Sequence, residues 1–383
     1  MNAMIVSQQW VPAREPDLDV LLRAWKLRWP GAGILALLPE AEKDIVPLLQ
    51  ARCRGLSMPL IGALFPALVA NDGFHTDGLW LVCFDSMPTH FLVPDLASGD
   101  VQPLARAIRQ ALPGGRVPML FMLFDSMLPN VSSLLYGLYE ELGKGVCYAG
   151  VCAGSESFQP MPCLFDGESV IGGGVLAMLL GDEVGTLALR HDYPVSETLM
   201  RATSSQGNRI EHIDGRPAFA VYQEVIRREF GIDLTHDNFY DYAVHFPFGL
   251  ITAVDVLVRI PVAFDEAGSL WCVGEVPPNS LLRLLKAPPA ENSRCITSLA
   301  ATLEAGRDAV QGHPMLTFYC AGRRMHLGAA AVSEVDQLVR ATGASSLVGA
   351  LSLGEIDQES DLHIPRFHNA AIVCLSLPAE AGK

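Results

Sequence analysis

The chain has 383 residues, enough for two domains or one large α/β domain, and half of them are hydrophobic at a mean hydropathy of +0.27, which calls for large sheets covered on both faces. A formal charge of −15, with no Lys/Arg cluster to offset it, repels phosphate backbones and argues against nucleic-acid binding. No stretch reaches the ~18 uninterrupted apolar residues of a membrane span, and the N-terminus lacks the basic and apolar regions of a secretion signal, so the chain is expected in the cytoplasm and off the membrane.

Apolar runs bounded by Gly, Pro or Asp alternate with amphipathic stretches, the signature of a mixed α/β chain. Strands are predicted at 33–38, 79–84, 119–124, 146–151, 170–180, 184–190, 315–320, 346–351 and 370–377. A helix is predicted over 131–142, with Val131, Leu134, Leu135, Leu138 and Leu142 on one face and Gly143 to end it. A second runs over 217–230 from an early Pro217 to Gly231, and a third starts at Ser333, a capping residue with Asp336 three positions on. The string APPAENS at 287–293 reads as a loop or linker. The nine cysteines form no CxxC pair and mostly sit in apolar runs such as that of Cys83 and Cys374, as reduced core residues do.

One pattern recurs three times: Pro59-Leu-Ile-Gly-Ala-Leu-Phe65, Tyr148-Ala-Gly-Val-Cys-Ala-Gly154 and Leu347-Val-Gly-Ala-Leu-Ser-Leu-Gly354. In each a strand-like run meets a glycine followed by a small residue, where backbone can turn or be approached closely, and the recurrence hints at duplicated halves. The Gly172-Gly-Gly174 run, inside an apolar stretch, reads as a bulge or a close packing contact.

The third copy continues into Glu355-Ile and is followed by Arg366-Phe-His-Asn369 and a closing apolar strand, a combination that resembles the C-terminal domain of the FIST family. Upstream, Ile210-Glu-His-Ile-Asp-Gly-Arg-Pro-Ala218, a helix, and Ala243-Val-His-Phe-Pro-Phe-Gly-Leu250 resemble that family's junction, and further matches are Val258-Arg-Ile-Pro261, Asp265-Glu-Ala-Gly-Ser-Leu270 and Tyr319-Cys-Ala-Gly-Arg323. The N-terminal part, with the first two glycine runs and Gly172-Gly-Gly174, is similar to the family's N-terminal domain. The resemblance implies a FIST N-like domain over 1–214 and a FIST C-like domain over 215–383, two related mixed or largely antiparallel sheets covered by helices, acting as a sensor of small ligands rather than as an enzyme. It leaves no residues for an output domain, so a stand-alone bacterial sensor is expected to act on a separate signalling protein. Some such members bind haem and report nitric oxide to a histidine kinase, which sets the expectation of non-covalent haem b and a histidine kinase partner here.

Four groups of residues carry the chemical alternatives. Gly150-Val-Cys-Ala-Gly154 fits a nucleophile elbow with Cys152 as nucleophile, although Pro160 and Pro162 interrupt the helix that should follow; the competing reading is a close-packed turn in which Gly154, Ser155 and Glu156 border a ligand. His245, among Tyr242, Phe246 and Phe248, is the first candidate for a haem axial ligand, with His368 second, against a core histidine bonded to a carbonyl. His75, His191 and His236 stand among polar residues and are expected to be exposed. An amino-acid-like ligand would instead use Arg259, Arg323, Glu355 and Asn369 at strand ends, although Arg259 with Glu355 equally suits an interdomain salt bridge. No HExxH, zinc-site spacing, GxxxxGK[ST] loop or strand-linked GxGxxG is present.

Overall fold

Three times along the chain, a buried strand, a crossover helix and a second buried strand make a parallel pair. The computed structural model describes residues 3–112, 117–181, 185–253, 255–288, 294–306, 310–358 and 364–377. The pairs are Gly33–Pro39 with Leu60–Phe65, Met119–Asp125 with Cys147–Ala153, and Pro314–Cys320 with Ser346–Ser352. Their crossovers contain the helices Val46–Gly55, Val131–Leu142, and Ala321–Leu327 followed by Ala330–Thr342. A parallel pair cannot be closed by a tight turn, and strands covered on both faces need continuous apolar sequence, which is why runs such as MLFMLFD are unbroken.

Each pair lies in a six-stranded sheet, and the three sheets share one strand order. An antiparallel strand flanks the first member of each pair: Leu79–Phe84, Val175–Leu180 and Ile372–Ser376. An edge strand lies outside it: Ile5–Val11, His90–Val93 and Leu187–Arg190. On the other side each sheet is completed by a hairpin that belongs, in sequence, to another unit. The hairpin of Leu68–Ala70 and Gly73–His75, which follows the first pair, completes the third sheet. That of Leu164–Asp166 and Val170–Ile171, after the second pair, completes the first sheet. That of Glu355–Asp357 and Arg366–His368, after the third, completes the second. The exchange is cyclic, so no unit has a whole sheet of its own.

The recurring glycines sit at equivalent points of these pairs. Gly62, Gly150 and Gly349 are in register with Ala36, Met122 and Thr317 on the neighbouring parallel strand. A Cβ at each would stand 2.4, 2.1 and 1.7 Å from the carbonyl oxygen of that partner, closer than any side chain tolerates. The hint of duplication is therefore realised as three copies. Side chains of all three sheets meet in one core, where Phe318 packs against Phe65 at 5.8 Å and Phe121 at 5.9 Å between ring centroids.

The third unit carries an insertion between its edge strand and its next helix, Arg294–Ala305. It is an antiparallel sheet in the order Val256–Arg259, Phe248–Ile251, Leu281–Leu285, Val195–Gln206, Arg209–Ile213, Leu270–Cys272 and Pro261–Phe264, with Arg216–Pro217 beside Arg209–Ile213. The helix Ala218–Phe230 covers it with Phe219, Tyr222, Val225 and Ile226, and the Tyr222 hydroxyl donates to the Phe246 carbonyl at 2.7 Å. The chain is thus mixed α/β in two domains, a body of three sheets and the inserted sheet. A boundary at 214/215 falls inside the insertion, between Arg209–Ile213 and Arg216–Pro217.

The helix Val131–Leu142 and the left-handed Gly231 that ends Ala218–Phe230 stand where the periodicity puts them. Ser333 is not a cap: its helix already starts at Ala330, because the Ala-rich turn before Ser333 is itself helical. The Gly172-Gly-Gly174 run breaks the expected 170–180 strand in two, and there the chain passes from the first sheet to the second, with the position of a Gly174 Cβ only 2.1 Å from the Val93 carbonyl. Of the expected linker at 287–293, residues 289–293 lie outside the described residues. Gly150→Ala and Gly349→Ala are each expected to destabilise the chain by roughly 2–3 kcal/mol or prevent folding, whereas Gly167→Ala, where nothing stands within 4 Å, should leave the unfolding midpoint unchanged in denaturant titrations.

Candidate functional site

The carboxyl ends of the second and third parallel pairs open into a cavity of about 750 Å³, roofed by the inserted sheet. Such strand ends are where open α/β sheets present loops to ligands. The second pair contributes the turn Ser126–Pro129 and the segment Glu156–Gln159; the third contributes Cys320 to Gly322, Met325 and Leu353; the exchanged hairpin and its exit bring in Phe367 and Asn369. The opposite wall holds Ile260 to Ala263, Trp271 to Gly274, Asn208, and the short-helix residues Tyr240, Ala243 and Val244.

Buried polar groups fix these loops. Asp125 accepts from the Met127 amide at 2.8 Å and the Gly173 amide at 2.7 Å, so one carboxylate ties the turn to the glycine run. Gly154, at φ +134, donates from its amide to the Leu64 carbonyl at 2.8 Å, and a Cβ there would lie 2.6 Å from the Ser126 Oγ. Ser155 Oγ meets Ser157 Oγ at 2.8 Å and accepts from the Ser157 amide, which curls the segment and turns Glu156 and Phe158 to the cavity.

Of the residues singled out from sequence, Glu156 and Asn369 line the cavity, and Gly154 and Ser155 shape its rim. Asn369 donates from Nδ2 to the His368 carbonyl at 2.8 Å. Cys152 lies in a strand, buried beneath the cavity; burial first, and then the neighbouring Glu355, hold its thiol well above the ordinary range. No helix follows it, so the elbow is not formed and Cys152 is not placed as a nucleophile.

The expected charged binding residues are spent inside the protein. Arg259 is fully buried and donates to the carbonyls of Val258, Glu275 and Phe367 at 2.9, 2.9 and 3.0 Å, and burial lowers its pKa to about 10. Arg323 forms a buried fork with Glu334 at 2.7 and 2.6 Å. Glu355 accepts from the Ser352 hydroxyl at 2.5 Å and the Ala371 amide at 3.2 Å, and burial raises its pKa to about 7. No ion pair joins Arg259 to Glu355 among the described residues. His368 is buried behind the wall with Nε2 2.9 Å from Asp357 Oδ1, on the opposite side of its strand from Phe367.

His245 does not line the cavity either. Its Nδ1 meets the Nδ1 of His326, whose Nε2 donates to the Pro288 carbonyl at 3.0 Å; burial lowers both pKa values, and the neutral pair ties the end of the short helix to Ala321–Leu327. Haem therefore does not fit as expected: no imidazole lines the cavity, and the His245 ring is engaged elsewhere. No cluster of three metal-ligating side chains occurs among the described residues. His191 is half-buried rather than exposed, because its ring bridges the Val256 carbonyl at 3.0 Å and the Tyr193 amide at 3.1 Å.

Phe158, Trp271, Phe367 and Tyr240 were not legible as site residues, since aromatic side chains near strand ends look like core. The nearest signal was glycine: Gly274 at φ +86 and Gly354 at φ +152 flank the Phe367 ring, and a Cβ on either would stand 2.7 or 2.3 Å from it.

The sequence matches two family models, the FIST N domain over residues 34–216 and the FIST C domain over residues 218–358. No curated protein matches it.

Glu355 and His191 give opposite pH dependences. Folded Glu355 keeps its proton up to about pH 7 against 4.5 ordinarily, so the stability it contributes is whole below 4.5 and lost as pH rises through 7. His191, lowered to about 4 by burial from 6.5, contributes fully above 6.5 and loses that contribution as pH falls through 4. The melting temperature of the wild type relative to Glu355→Gln is expected to fall between pH 5 and 8; parallel curves would contradict the assignment.

Proposed function

The chain belongs to the FIST family, whose domains are sensory domains of signal transduction that bind small ligands, and from that premise we propose that the cavity beneath the inserted sheet holds the sensed ligand. The carrying observation is that its walls come from three places: the second unit, the third unit and the insertion. A ligand there touches elements that otherwise meet only at their margins, so binding changes how the two domains are held together.

Sensing is favoured over turnover by the chemistry of the walls. The lining thiols, Cys272 and Cys320, are kept protonated by burial, which pushes Cys272 up to about 12 and raises Cys320 further. Neither stands beside a lining imidazole that would activate it. The signal then passes to a separate protein, for which a histidine kinase is the proposed class. No helix among the described residues is long and apolar enough to cross a membrane.

A thermal-shift screen tests the reading. A cognate ligand at a hundredfold excess over its dissociation constant stabilises by about 2.7 kcal/mol, and Ala263→Trp, which places a large ring on the cavity wall, is expected to abolish the shift. A shift retained in Ala263→Trp would put the ligand elsewhere. A pull-down should recover a histidine kinase in amounts that change with that ligand; an amount insensitive to it would count against the signalling step.

A further inference from the structure

We propose that this cavity selects uncharged, ring-bearing ligands and rejects carboxylates, phosphates and ammonium compounds; the inference rests on the cavity being the ligand site. The first observation is electrostatic. Among its lining residues Glu156 alone carries a formal charge, and it is ion-paired at 3.6 Å with Arg324. The nearest buried cations, Arg259 and Arg323, are committed to backbone carbonyls and to Glu334. An anion entering the cavity would lose its water with no cation to meet it, at a cost of several kcal/mol.

The second observation concerns the usual backbone refuge for an anion. The chain turns from Cys320 into the helix Ala321–Leu327 on the cavity wall, but the amides of Gly322, Arg323 and Ala370 are turned to the Cys320 sulfur, the last at 3.1 Å. The thiol occupies the donors that would otherwise cradle a carboxylate or phosphate.

The third observation is aromatic and argues against cations. Phe158, Tyr240, Trp271 and Phe367 supply ring surface to the cavity. Two of these rings already carry a guanidinium that is not itself part of the lining: Arg209 lies 5.0 Å from the Trp271 centroid and Arg259 5.6 Å from that of Phe367. A ring with a cation on one face attracts a second cation weakly on the other, whereas stacking and apolar burial of a neutral ring are unaffected. Arg209 is further fixed by Asp265 at 2.9 Å and Glu211 at 3.1 Å, and Phe367 is wedged between Gly274 and Gly354, so both rings are held in place before a ligand arrives. Neutral polar groups remain for orientation: Asn208 donates its amide to the Cys272 carbonyl at 3.0 Å and keeps its carboxamide oxygen.

Nile red, a neutral planar dye that brightens in apolar sites, serves as the probe. Three competitors share one ring and differ in charge: 2-naphthylmethanol, 2-naphthylacetate and 2-naphthylmethylammonium. The neutral alcohol is expected to displace the dye at a concentration at least tenfold lower than either ion. Equal or better displacement by the acetate or the ammonium compound, in a site blocked by Ala263→Trp, would overturn the ligand class while leaving the cavity as the ligand site. Dye binding that is absent, or unaffected by Ala263→Trp in a variant whose circular dichroism matches the wild type, would overturn both.

Discussion

The structure depends on a backbone contact that only glycine permits. At Gly62, Gly150 and Gly349 each parallel pair is drawn together until the partner carbonyl occupies the space of a Cβ. That approach lets three sheets share one core, and the shared core lets each unit reach across and complete its neighbour. Loop closure over such distances is costly in entropy, and the return is a body in which no unit can leave without opening two sheets.

The cavity follows from the same exchange. The hairpin that leaves the third pair is carried into the second sheet, and its second strand delivers Phe367 and Asn369 to loops that belong to the second unit. The insertion closes the space from above. Internal charges are settled away from it: Arg323 on Glu334, Arg259 on carbonyls, His245 against His326. What faces the cavity is mainly apolar and aromatic, which suits a family whose domains bind small ligands rather than transform them.

Much of the three-sheet body was legible in the sequence because strands buried on both faces need unbroken apolar runs, and the recurring glycines marked the equivalent strands. The inserted sheet was mostly missed. Its long strand Val195–Gln206 alternates between exposed and half-buried positions, and its short strands lack the apolar length that signals a strand. Glu156 and Asn369 were found because glycine turns at strand ends expose whatever follows them. Arg259, Arg323 and His245 misled for the opposite reason: a charged or imidazole side chain in an apolar neighbourhood suits a ligand, but here it satisfies buried carbonyls, a carboxylate or a second imidazole. Sequence supplies the residue type, and only the fold supplies the partner.

The central claim is that one ligand bridges the two domains through this cavity. Hydrogen–deuterium exchange with a bound neutral probe tests it most directly, because each wall reports separately. Bridging predicts slower exchange together in 126–131 and 156–159 of the three-sheet body and in 260–263 and 271–274 of the inserted sheet. Protection confined to one of these walls, with the other unchanged at saturating probe, would contradict it.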